Sequence, residues 1–501
     1  MSSSEQLDAP NIDPLRRRLL RVGASFAALP LLVSCGSESP DAAIDEPEPG
    51  GPTEPAPQPP TPEPPVATLP PRGLHASWID DPTSTRTLTW FTDGTRAPDS
   101  YLEYGPVENG MNDTDIASAP FPQRTLASRQ ATYGVEAITH TATATNLAPD
   151  KAVRYRVGSA EGWSAVHVLP AAPNGRFRFA HFGDHALSEF SKAVVAGVAA
   201  RAPDFAIIAG DLSYANGDQP VWDRYFDMLE PLAARLPVMT CPGNHEAKDG
   251  GGEGYRSRLS MPGEDDHYGF DYGRVHFYFS TGGSLLDGLA GAGALAAELL
   301  AIELDLARAA LRRARGEIDF IVFVQHYTIW TSEDGRDPAN FTLVALEEQI
   351  LLRYGVDLLL VGHDHIYERS KPMAYGRPFA NGYVQLTQGG GGQTLYELVD
   401  DIADWSAFAT LRYGFSELEV DGDTIRITSY AVDDEQNRPL PNGELRVIDQ
   451  FEIRARGTLA SAAFALPART RKQLLPEIDA VVRHTARRNA LHDAGEHLPW
   501  L

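Results

Sequence analysis

From residue 174 onward the chain repeats one pattern: a short apolar segment, a turn with a carboxylate, amide or imidazole group, and a stretch with helical spacing. Continuous apolar strands that alternate with helices are typical of a sheet that is covered on both faces. In such sheets the functional groups gather beyond the carboxyl ends of the strands. The segments that show the pattern most clearly are FRFAHFGD, DFAIIAGD, PVMTCPGNHE, IDFIVFVQH and VDLLLVGHDH.

This pattern predicts an α/β domain over residues 174–456. One helix is expected from about Leu295 to Arg315, and the last β-rich stretch, from about 382 to 455, is expected to complete a second sheet. The fold class predicted for this domain is therefore two mixed β-sheets sandwiched by helices.

Residues 73–170 have a different character, with short β-rich runs separated by turn residues. Period-two alternation is visible in RTLTWFT and VRYRV, and no helical pattern of any length is evident. Such runs predict a small all-β sandwich. Because this segment carries no cluster of catalytic side chains, we expect the chemistry in the α/β domain.

The first 35 residues have the layout of an export signal, with a basic start, a short apolar stretch and a small residue before Cys35. They resemble a twin-arginine signal with the pair Arg16 and Arg17, and LVSC resembles a lipobox in which Cys35 is acylated. An ordinary signal peptide or a short membrane anchor is the alternative. We expect an exported bacterial protein, periplasmic or at the cell surface, whose membrane contact is a lipid anchor at Cys35.

Three further features complete the organisation of the chain. Residues 36–72 are rich in Pro and Glu and predict a disordered linker, whereas residues 457–501 predict a helical extension. Cys241, the second of the two cysteines, is expected to be a small buried side chain near a strand end. The formal net charge of −25 argues against a nucleic-acid partner, because binding to phosphate backbones needs a basic surface.

Polar residues follow each of the five apolar segments. Any one of them has an ordinary explanation as a turn residue or a helix cap. Carboxylate, imidazole and amide groups that converge from five successive strand ends on one edge of a sheet instead predict a metal site, one that holds two ions. These residues are Asp184, Asp211, Tyr214, Asn244, His245, His326, His363 and His365.

The order Asp, GDxxY, GNHE, His, GHxH resembles the purple acid phosphatases, within the calcineurin-like metallophosphoesterases. LEYGP and NLAPDKAVRYRVG resemble the fibronectin-III-like N-terminal domain of that family. HYGFDYGRVHF and GHDHIYER resemble its catalytic domain. The resemblance covers residues 73–455 and implies a fibronectin-III-like sandwich followed by a metallophosphoesterase domain.

The resemblance also implies the ligands of the two ions. Tyr214 favours Fe(III), because an unperturbed tyrosine has a pKa of about 10 and its phenolate persists near neutral pH only beside a highly charged ion. The second ion would be Fe(II), Zn(II) or Mn(II). The implied sets are Asp184, Tyr214 and His365 for one ion, Asn244, His326 and His363 for the other, and Asp211 as the bridge.

The implied reaction is hydrolysis of a phosphate monoester by in-line attack of a metal-bound hydroxide, without a phosphoenzyme. The partner would be a phosphorylated small molecule, and a phosphodiesterase on the same core is the alternative. A non-catalytic surface protein is a third possibility, which the presence of all seven ligands disfavours. His245 is the predicted catalytic and substrate-binding residue, which hydrogen-bonds phosphoryl oxygens or protonates the leaving alkoxide. Orienting the neighbouring Asn244 is its alternative role.

The chain departs from the family pattern at two positions. Ala186 replaces the glycine of the usual DxG, which adds a methyl group at a tight turn, and Phe323 lies where valine is frequent. The loops AKDGGGEGYRSR and YTIWTSEDGRD are expected to set leaving-group specificity. Further candidates to line the pocket are His185, His267 and Glu246.

In the stretch GHDHIYERS, Gly362 is expected to let the backbone turn at the end of a buried strand. The two-residue spacing of the histidines predicts that they reach different ions. Asp364, between them, is expected to point away from both.

Overall fold

The structure is a computed structural model that describes residues 70–263, 266–282 and 291–456. The predicted export signal with its lipobox, most of the predicted linker and the predicted C-terminal helical extension lie outside the described residues. Within the described ranges, no helix combines the length and apolar character needed to span a membrane.

The N-terminal domain is a two-sheet β-sandwich, as predicted. One sheet has the order β1-β2-β6-β5 and the other β4-β3-β7-β8, with β9 added on β7. No helix was expected in this domain, but the structure contains the short helix α1 (Asp113–Ser118), which the side chain of Asn112 caps. The strands are β1 (Arg72–Ser77), β2 (Arg86–Asp93), β3 (Tyr101–Pro106), β4 (Gln123–Leu126), β5 (Ser128–Ala131), β6 (Ala137–Ala144), β7 (Val153–Ser159), β8 (Gly162–Trp163) and β9 (His167–Leu169).

The strands of the second domain coincide with the apolar segments of the sequence. Those of the first half are β10 (Phe177–Phe182), β11 (Phe205–Ala209), β12 (Val238–Cys241), β13 (Tyr268–Tyr272), β14 (Val275–Phe279), β15 (Phe320–Val324) and β16 (Leu358–Val361). Those of the second half are β17 (Tyr367–Ser370), β18 (Met373–Ala374), β19 (Arg377–Pro378), β20 (Val384–Gln388), β21 (Ser406–Thr410), β22 (Gly414–Asp421), β23 (Thr424–Ala431) and β24 (Arg446–Arg454).

Helices connect most of these strands. The predicted helix near Leu295 is observed as α6, and its final turn ends one residue earlier than expected. The helices are α2 (Glu189–Arg201), α3 (Pro220–Ala233), α4 (Asn244–Lys248), α5 (Glu253–Arg256), α6 (Gly291–Ala314), α7 (Phe341–Leu343) and α8 (Gln349–Tyr354). Single turns of other type are the π-helical Val344–Glu348 and the 3-10 segments Gly250–Gly252 and Pro441–Gly443.

Two mixed sheets lie face to face, which confirms the predicted fold class. The first has the order β12-β11-β10-β22-β23-β24, and the second β13-β14-β15-β16-β20-β17-β21. Their inner faces share one apolar core, in which Phe179, Phe277 and Leu360 are fully buried. Helices α2 and α3 cover the outer face of the first sheet, and α6 and α8 cover that of the second.

The arrangement of strands differs from the prediction in two respects. The strands that precede the candidate ligands belong to two sheets, since β10 to β12 lie in one and β15 and β16 in the other. The β-rich stretch after 382 is also divided: β20 and β21 join the second sheet, whereas β22 pairs antiparallel with β10 and extends the first. An apolar pattern shows that a strand is buried, but it does not tell which of two buried sheets the strand joins.

The sandwich packs directly on the α/β domain. The hydroxyl of Tyr155 donates to the carbonyl of Ala234 at 2.7 Å, and Ser77 Oγ donates to the carbonyl of Ser260 at 2.6 Å. Cys241, the last residue of β12, is buried and unpaired as predicted.

Candidate metal centre

The carboxyl ends of β10, β11 and β12 meet those of β15 and β16 at one end of the two-sheet core. A backbone hydrogen bond from Gly183 N to Gln388 O at 2.9 Å joins the end of β10 to that of β20 in the other sheet, and one from Gly362 N to His326 O at 3.0 Å joins the loops after β16 and β15. This contact brings all seven candidate ligands into one region, although they come from both sheets. They are buried, except for Asn244 and Tyr214, which are half-buried.

Four of the seven candidate ligands have a left-handed backbone. Their φ angles are 54° at Asp184, 50° at Asp211, 56° at Tyr214 and 69° at His363. For residues other than glycine this conformation costs about 1–3 kcal/mol, and it persists only where the surrounding structure enforces it. Concentrated strain of this kind is typical of a functional site.

Asp184, Tyr214 and His365 form the first cluster. The Tyr214 hydroxyl lies 3.1 Å from Asp184 Oδ1 and 3.0 Å from His365 Nε2, and Nε2 lies 3.3 Å from the same Oδ1. Three potential ligand atoms therefore surround one point.

The second cluster is centred on His326. Its Nε2 lies 3.2 Å from Asn244 Oδ1, 3.2 Å from His363 Nδ1 and 3.2 Å from Asp211 Oδ2. Oxygen and nitrogen atoms of Asp184, Asp211 and His326 lie within 4.8 Å of one another, so that Asp211 is close to both clusters. Asp211 thus lies beside Asp184 of the first cluster and His326 of the second.

The chemistry of these donors fits metal ions. His326 Nδ1 faces the carbonyl of Ala209 at 2.8 Å, and His365 Nδ1 faces that of Thr394 at 2.6 Å. Since a carbonyl only accepts, each Nδ1 carries the proton, and the neutral form of each ring directs a lone pair at Nε2 into its cluster. Lone pairs that face carboxylate and amide oxygens call for a cation between them.

The electrostatics point the same way. Burial lowers the pKa of His326, but the charges of Asp211 and Asp184 outweigh it and raise that pKa to about 10. The carboxylates therefore favour positive charge at His326, whether a proton or a metal ion carries it. Burial and the charges of Asp184 and Asp211 raise the pKa of Tyr214 above its ordinary value. A phenolate forms at Tyr214 only when a strongly charged cation replaces its proton.

Two glycines allow the backbone to approach the candidate carboxylates. A Cβ atom on Gly243 would lie 2.2 Å from Asp211 Oδ1, and one on Gly362 would lie 2.5 Å from Asp184 Oδ2. The left-handed turn itself falls on His363 rather than on Gly362, so the expectation that Gly362 makes the turn is wrong. Gly362 is required because the space beside it is occupied.

Glu246 braces the centre without facing it. The residue is 1% exposed, and its carboxylate accepts 2.8 Å hydrogen bonds from the backbone N–H groups of Asp211, Leu212 and Gly243. It thereby fixes the turns that carry Asp211 and Asn244. The expectation that Glu246 lines the pocket is replaced by this supporting position.

His245 lies at the mouth of the centre. Its Nδ1 is 2.6 Å from the side-chain oxygen of Asn216, and its Nε2 is 3.7 Å from Asp211 Oδ2. The ring packs on that of Tyr214 with 4.1 Å between centroids. Its partners are thus Asn216, Asp211 and Tyr214, and no hydrogen bond joins its side chain to that of Asn244 among the described residues.

Two other histidines lie away from the centre. His185 is fully buried between helices α2 and α3, where its ring nitrogens face the Tyr225 hydroxyl at 3.1 Å and the Ser191 carbonyl at 3.2 Å. His267 faces the Tyr278 hydroxyl at 3.1 Å. Neither contact is part of the ligand clusters, so the expectation that His185 lines the pocket is wrong.

The two departures from the family pattern have clear structural settings. Ala186 has a φ of 56°, so its methyl group occupies a backbone conformation that favours glycine. Its N–H still donates to the carbonyl of Leu212 at 2.8 Å, and no candidate ligand is lost. Phe323 is fully buried and stacks on Tyr278 with 5.5 Å between centroids, which is a packing role.

Asp364 points away from the clusters, as predicted. It accepts a 2.7 Å hydrogen bond from Thr328 Oγ1 and lies 2.6 Å from Arg336 Nε. Nearby, Tyr396 stacks on His365 with 4.0 Å between centroids and 11° between planes. Arg336 lies in the loop YTIWTSEDGRD, which was expected to set leaving-group specificity, whereas no pattern in the sequence singled out Tyr396. Tyr396 could have been predicted from strand β20, because the loop that follows β20 is the sixth loop at this edge of the two sheets.

Comparison with known proteins gives the family. Residues 177–367 match the family model of the calcineurin-like phosphoesterases. Residues 71–169 match the model of the purple acid phosphatase N-terminal domain. The second domain is thus a calcineurin-like phosphoesterase, a class of metal-dependent hydrolases of phosphate esters. With its N-terminal domain, the chain belongs to the purple acid phosphatase family.

Individual relatives agree with this assignment. Acid phosphatase type 7 of Mus musculus is 28% identical over 401 residues, which cover 70% of this chain and 85% of that protein. Purple acid phosphatase 18 of Arabidopsis thaliana is 26% identical over 353 residues, covering 66% and 75%. The solved purple acid phosphatase PPD1 from yellow lupin (Lupinus luteus) seeds has the same fold, with a TM-score of 0.59 and 21% identity over 77% of this chain and 74% of its own.

Proposed function

We propose that this enzyme hydrolyses phosphate monoesters of small molecules at a centre of Fe(III) and one divalent ion, Fe(II), Zn(II) or Mn(II). The observation that carries the proposal is the pair of donor clusters, centred on Tyr214 and His326, that Asp211 links. A structural metal site has four protein ligands and no open coordination position, whereas this arrangement offers two incomplete coordination shells side by side. Such pairs are used to grip a phosphoryl group.

The donor set supports the choice of metals. The first cluster offers a phenol, a carboxylate and one imidazole, and the second offers two imidazoles, an amide and the shared carboxylate of Asp211. A phenolate is a hard anion and suits Fe(III), while the second set suits a divalent ion. When bound, the two ions would polarise the phosphoryl group and lower the pKa of a water molecule.

The side chains of this chain would do the remaining work. Asn216 holds the Nδ1 side of His245, which leaves Nε2 directed towards the clusters. As an imidazolium, with a proton on each ring nitrogen, His245 would donate a hydrogen bond from Nε2 to a phosphoryl oxygen or pass that proton to the leaving alkoxide. Because the ring also packs against Tyr214, its orientation is fixed before substrate arrives.

Charge supports a dianionic substrate. Two ions of total charge +5 exceed the charges of Asp184, Asp211, a phenolate and a hydroxide by one unit, so the centre attracts a phosphate monoester despite the overall charge of −25. We also propose that the enzyme acts outside the cytoplasm, tethered through Cys35, and that its partners do not include nucleic acids.

Three measurements on the purified full-length chain test this function: elemental analysis, the visible spectrum, and rates with 4-nitrophenyl phosphate and bis(4-nitrophenyl) phosphate. We expect iron, a visible charge-transfer band and preference for the monoester. Asp211→Asn should lower activity by about a hundredfold or more, since even residues behind the ligands cost 10- to 100-fold. Asp218→Asn, the same change at an exposed position of that loop, should leave activity intact. A colourless, iron-free protein or faster diester hydrolysis would contradict the proposal.

A further inference from the structure

Arg336 lies at the rim of the candidate metal centre, in the loop after β15. Its side chain is 31% exposed, whereas the Asp364 carboxylate with which it pairs is fully buried. Asp364 Oδ1 lies 2.6 Å from Nε and Glu333 Oε2 lies 3.4 Å from the same nitrogen. Both carboxylates therefore hold the inner, Nε end of the guanidinium group.

The outer end of Arg336 lies beside the backbone of His363, and Tyr396 stands between it and His365. Its Nη2 is 3.5 Å from the carbonyl of His363, which is long for a hydrogen bond. Its Cζ lies 5.7 Å from the ring centroid of Tyr396, and Tyr396 stacks on His365. The aromatic ring thus separates the guanidinium group from the ligand clusters by the thickness of one side chain.

This position suits the leaving group rather than the phosphoryl group. A guanidinium group is permanently charged, and its two terminal amino groups can bind a carboxylate or a phosphate through parallel hydrogen bonds.

We propose that Arg336 binds a second anionic group, a carboxylate or a phosphate, on the leaving group, so that the preferred substrates are phosphomonoesters that carry such a group. The inference rests on the proposed function and names the substrate class of the same site. Arg336 is then a specificity-determining residue, and the carboxylates of Asp364 and Glu333 hold its Nε end in place.

The test compares kcat/KM for phenyl phosphate, 4-carboxyphenyl phosphate and 1,4-phenylene bisphosphate, which differ only in the second group. We expect the two anionic esters to be favoured about tenfold, the value of one charge-assisted pair. Arg336→Gln should remove the preference and Arg336→Lys should retain part of it. Because the ratio is taken within each variant, general damage to the site cancels. The larger of the two preferences identifies carboxylate or phosphate as the natural group.

A control and an independent readout separate the possible failures. Lys192→Ala removes an exposed cation of α2, outside both loops expected to set specificity, and should leave the ratio unchanged. The inference is wrong if the ratio is the same in the wild-type protein and Arg336→Gln, or if Lys192→Ala abolishes it. If no ester is hydrolysed, the proposed function fails. In that case, calorimetric affinities for benzylphosphonate and 4-carboxybenzylphosphonate still test the role of Arg336. The inference requires that Arg336→Gln weakens the binding of 4-carboxybenzylphosphonate and not that of benzylphosphonate.

Discussion

Glu246→Gln replaces one acceptor atom by a donor beneath the candidate metal centre. Burial and the charge of Asp211 raise the pKa of Glu246 to about 7, so above that pH the substitution also removes one charge. In the native protein Oε2 accepts from Asp211 N and Gly243 N, and Oε1 accepts from Leu212 N, all at 2.8 Å. A glutamine that keeps its oxygen at the Oε2 position turns its amide N–H₂ against the N–H of Leu212. One charge-assisted hydrogen bond is lost and a backbone donor is left unpaired in a site that is 1% exposed.

The magnitude follows from these contacts. An unpaired buried donor costs about 1–3 kcal/mol, and hydrogen bonds to a charged group are worth about 1.5–3 kcal/mol each. Because the two remaining bonds weaken as well, we expect a loss of about 2–4 kcal/mol in the free energy of unfolding. The turn that carries Asp211 also becomes less rigid, so metal release should become about 10- to 100-fold faster, as for other residues behind metal ligands.

Two measurements check this prediction: urea unfolding of the chelator-treated protein, and the rate at which the loaded protein yields metal to a chelator. Glu253→Gln is the matched control, since Glu253 is 55% exposed and pairs with Arg256 at 3.2 Å, and it should cost less than about 1 kcal/mol. A cost below about 1 kcal/mol for Glu246→Gln would refute the reasoning. It would mean that the buried carboxyl group is neutral in the native protein, or that its three hydrogen bonds do not support the fold.

Other perturbations have equally defined outcomes. Tyr214→Phe should abolish the visible absorption band while leaving the fold intact, and circular dichroism with a visible spectrum checks both; a band that survives would assign the phenolate to another residue. Gly243→Ala should prevent stable metal loading, since its methyl group would meet a carboxylate oxygen at 2.2 Å, and elemental analysis measures this. Burial lowers the pKa of His276, but hydrogen bonds and charges from Asp271 and Asp305 raise it to about 9. Its contribution to stability should therefore be complete below about pH 6.5 and lost as the pH rises through about 9. Urea midpoints should fall between pH 7 and pH 10 in the wild-type protein, and less in His276→Gln.

The sequence predicted the elements that are continuous along the chain. The five apolar strands, the sandwich and the residues after each strand follow from local pattern, because burial on both faces demands an unbroken apolar run. The assignment of β22 to the first sheet, by contrast, depends on pairing between Phe177 and Val420, which no local pattern encodes. Strand β20 lies in the β-rich stretch expected from about 382, but VQLTQ lacks the unbroken apolar run of the other five strands, so the loop of Thr394 and Tyr396 was not singled out.

The direction in which loop side chains point could not be predicted from the sequence either. His185 and Glu246 stand beside candidate ligands in the sequence, yet one turns towards α2 and α3 and the other accepts backbone N–H groups. Residues one position apart in a loop can face opposite directions. The left-handed backbone at Asp184 and Ala186 sets the direction in which the side chains of this loop point. The family resemblance supplied the ligand sets, because it carries information about tertiary contacts that spacing alone does not.

The centre joins parts of the chain that are very distant in sequence. His363 N donates to Asp184 Oδ2 across 179 positions, and the two residues follow strands of different sheets. Ions held there would act as a cross-link that closes a very long loop, comparable in effect to a disulfide, whereas Cys241 is unpaired. No short fragment contains both halves of this cross-link, so loading requires a domain that has already assembled. Resistance to unfolding would then depend on the metal supply at the time of folding rather than on the redox state of the compartment.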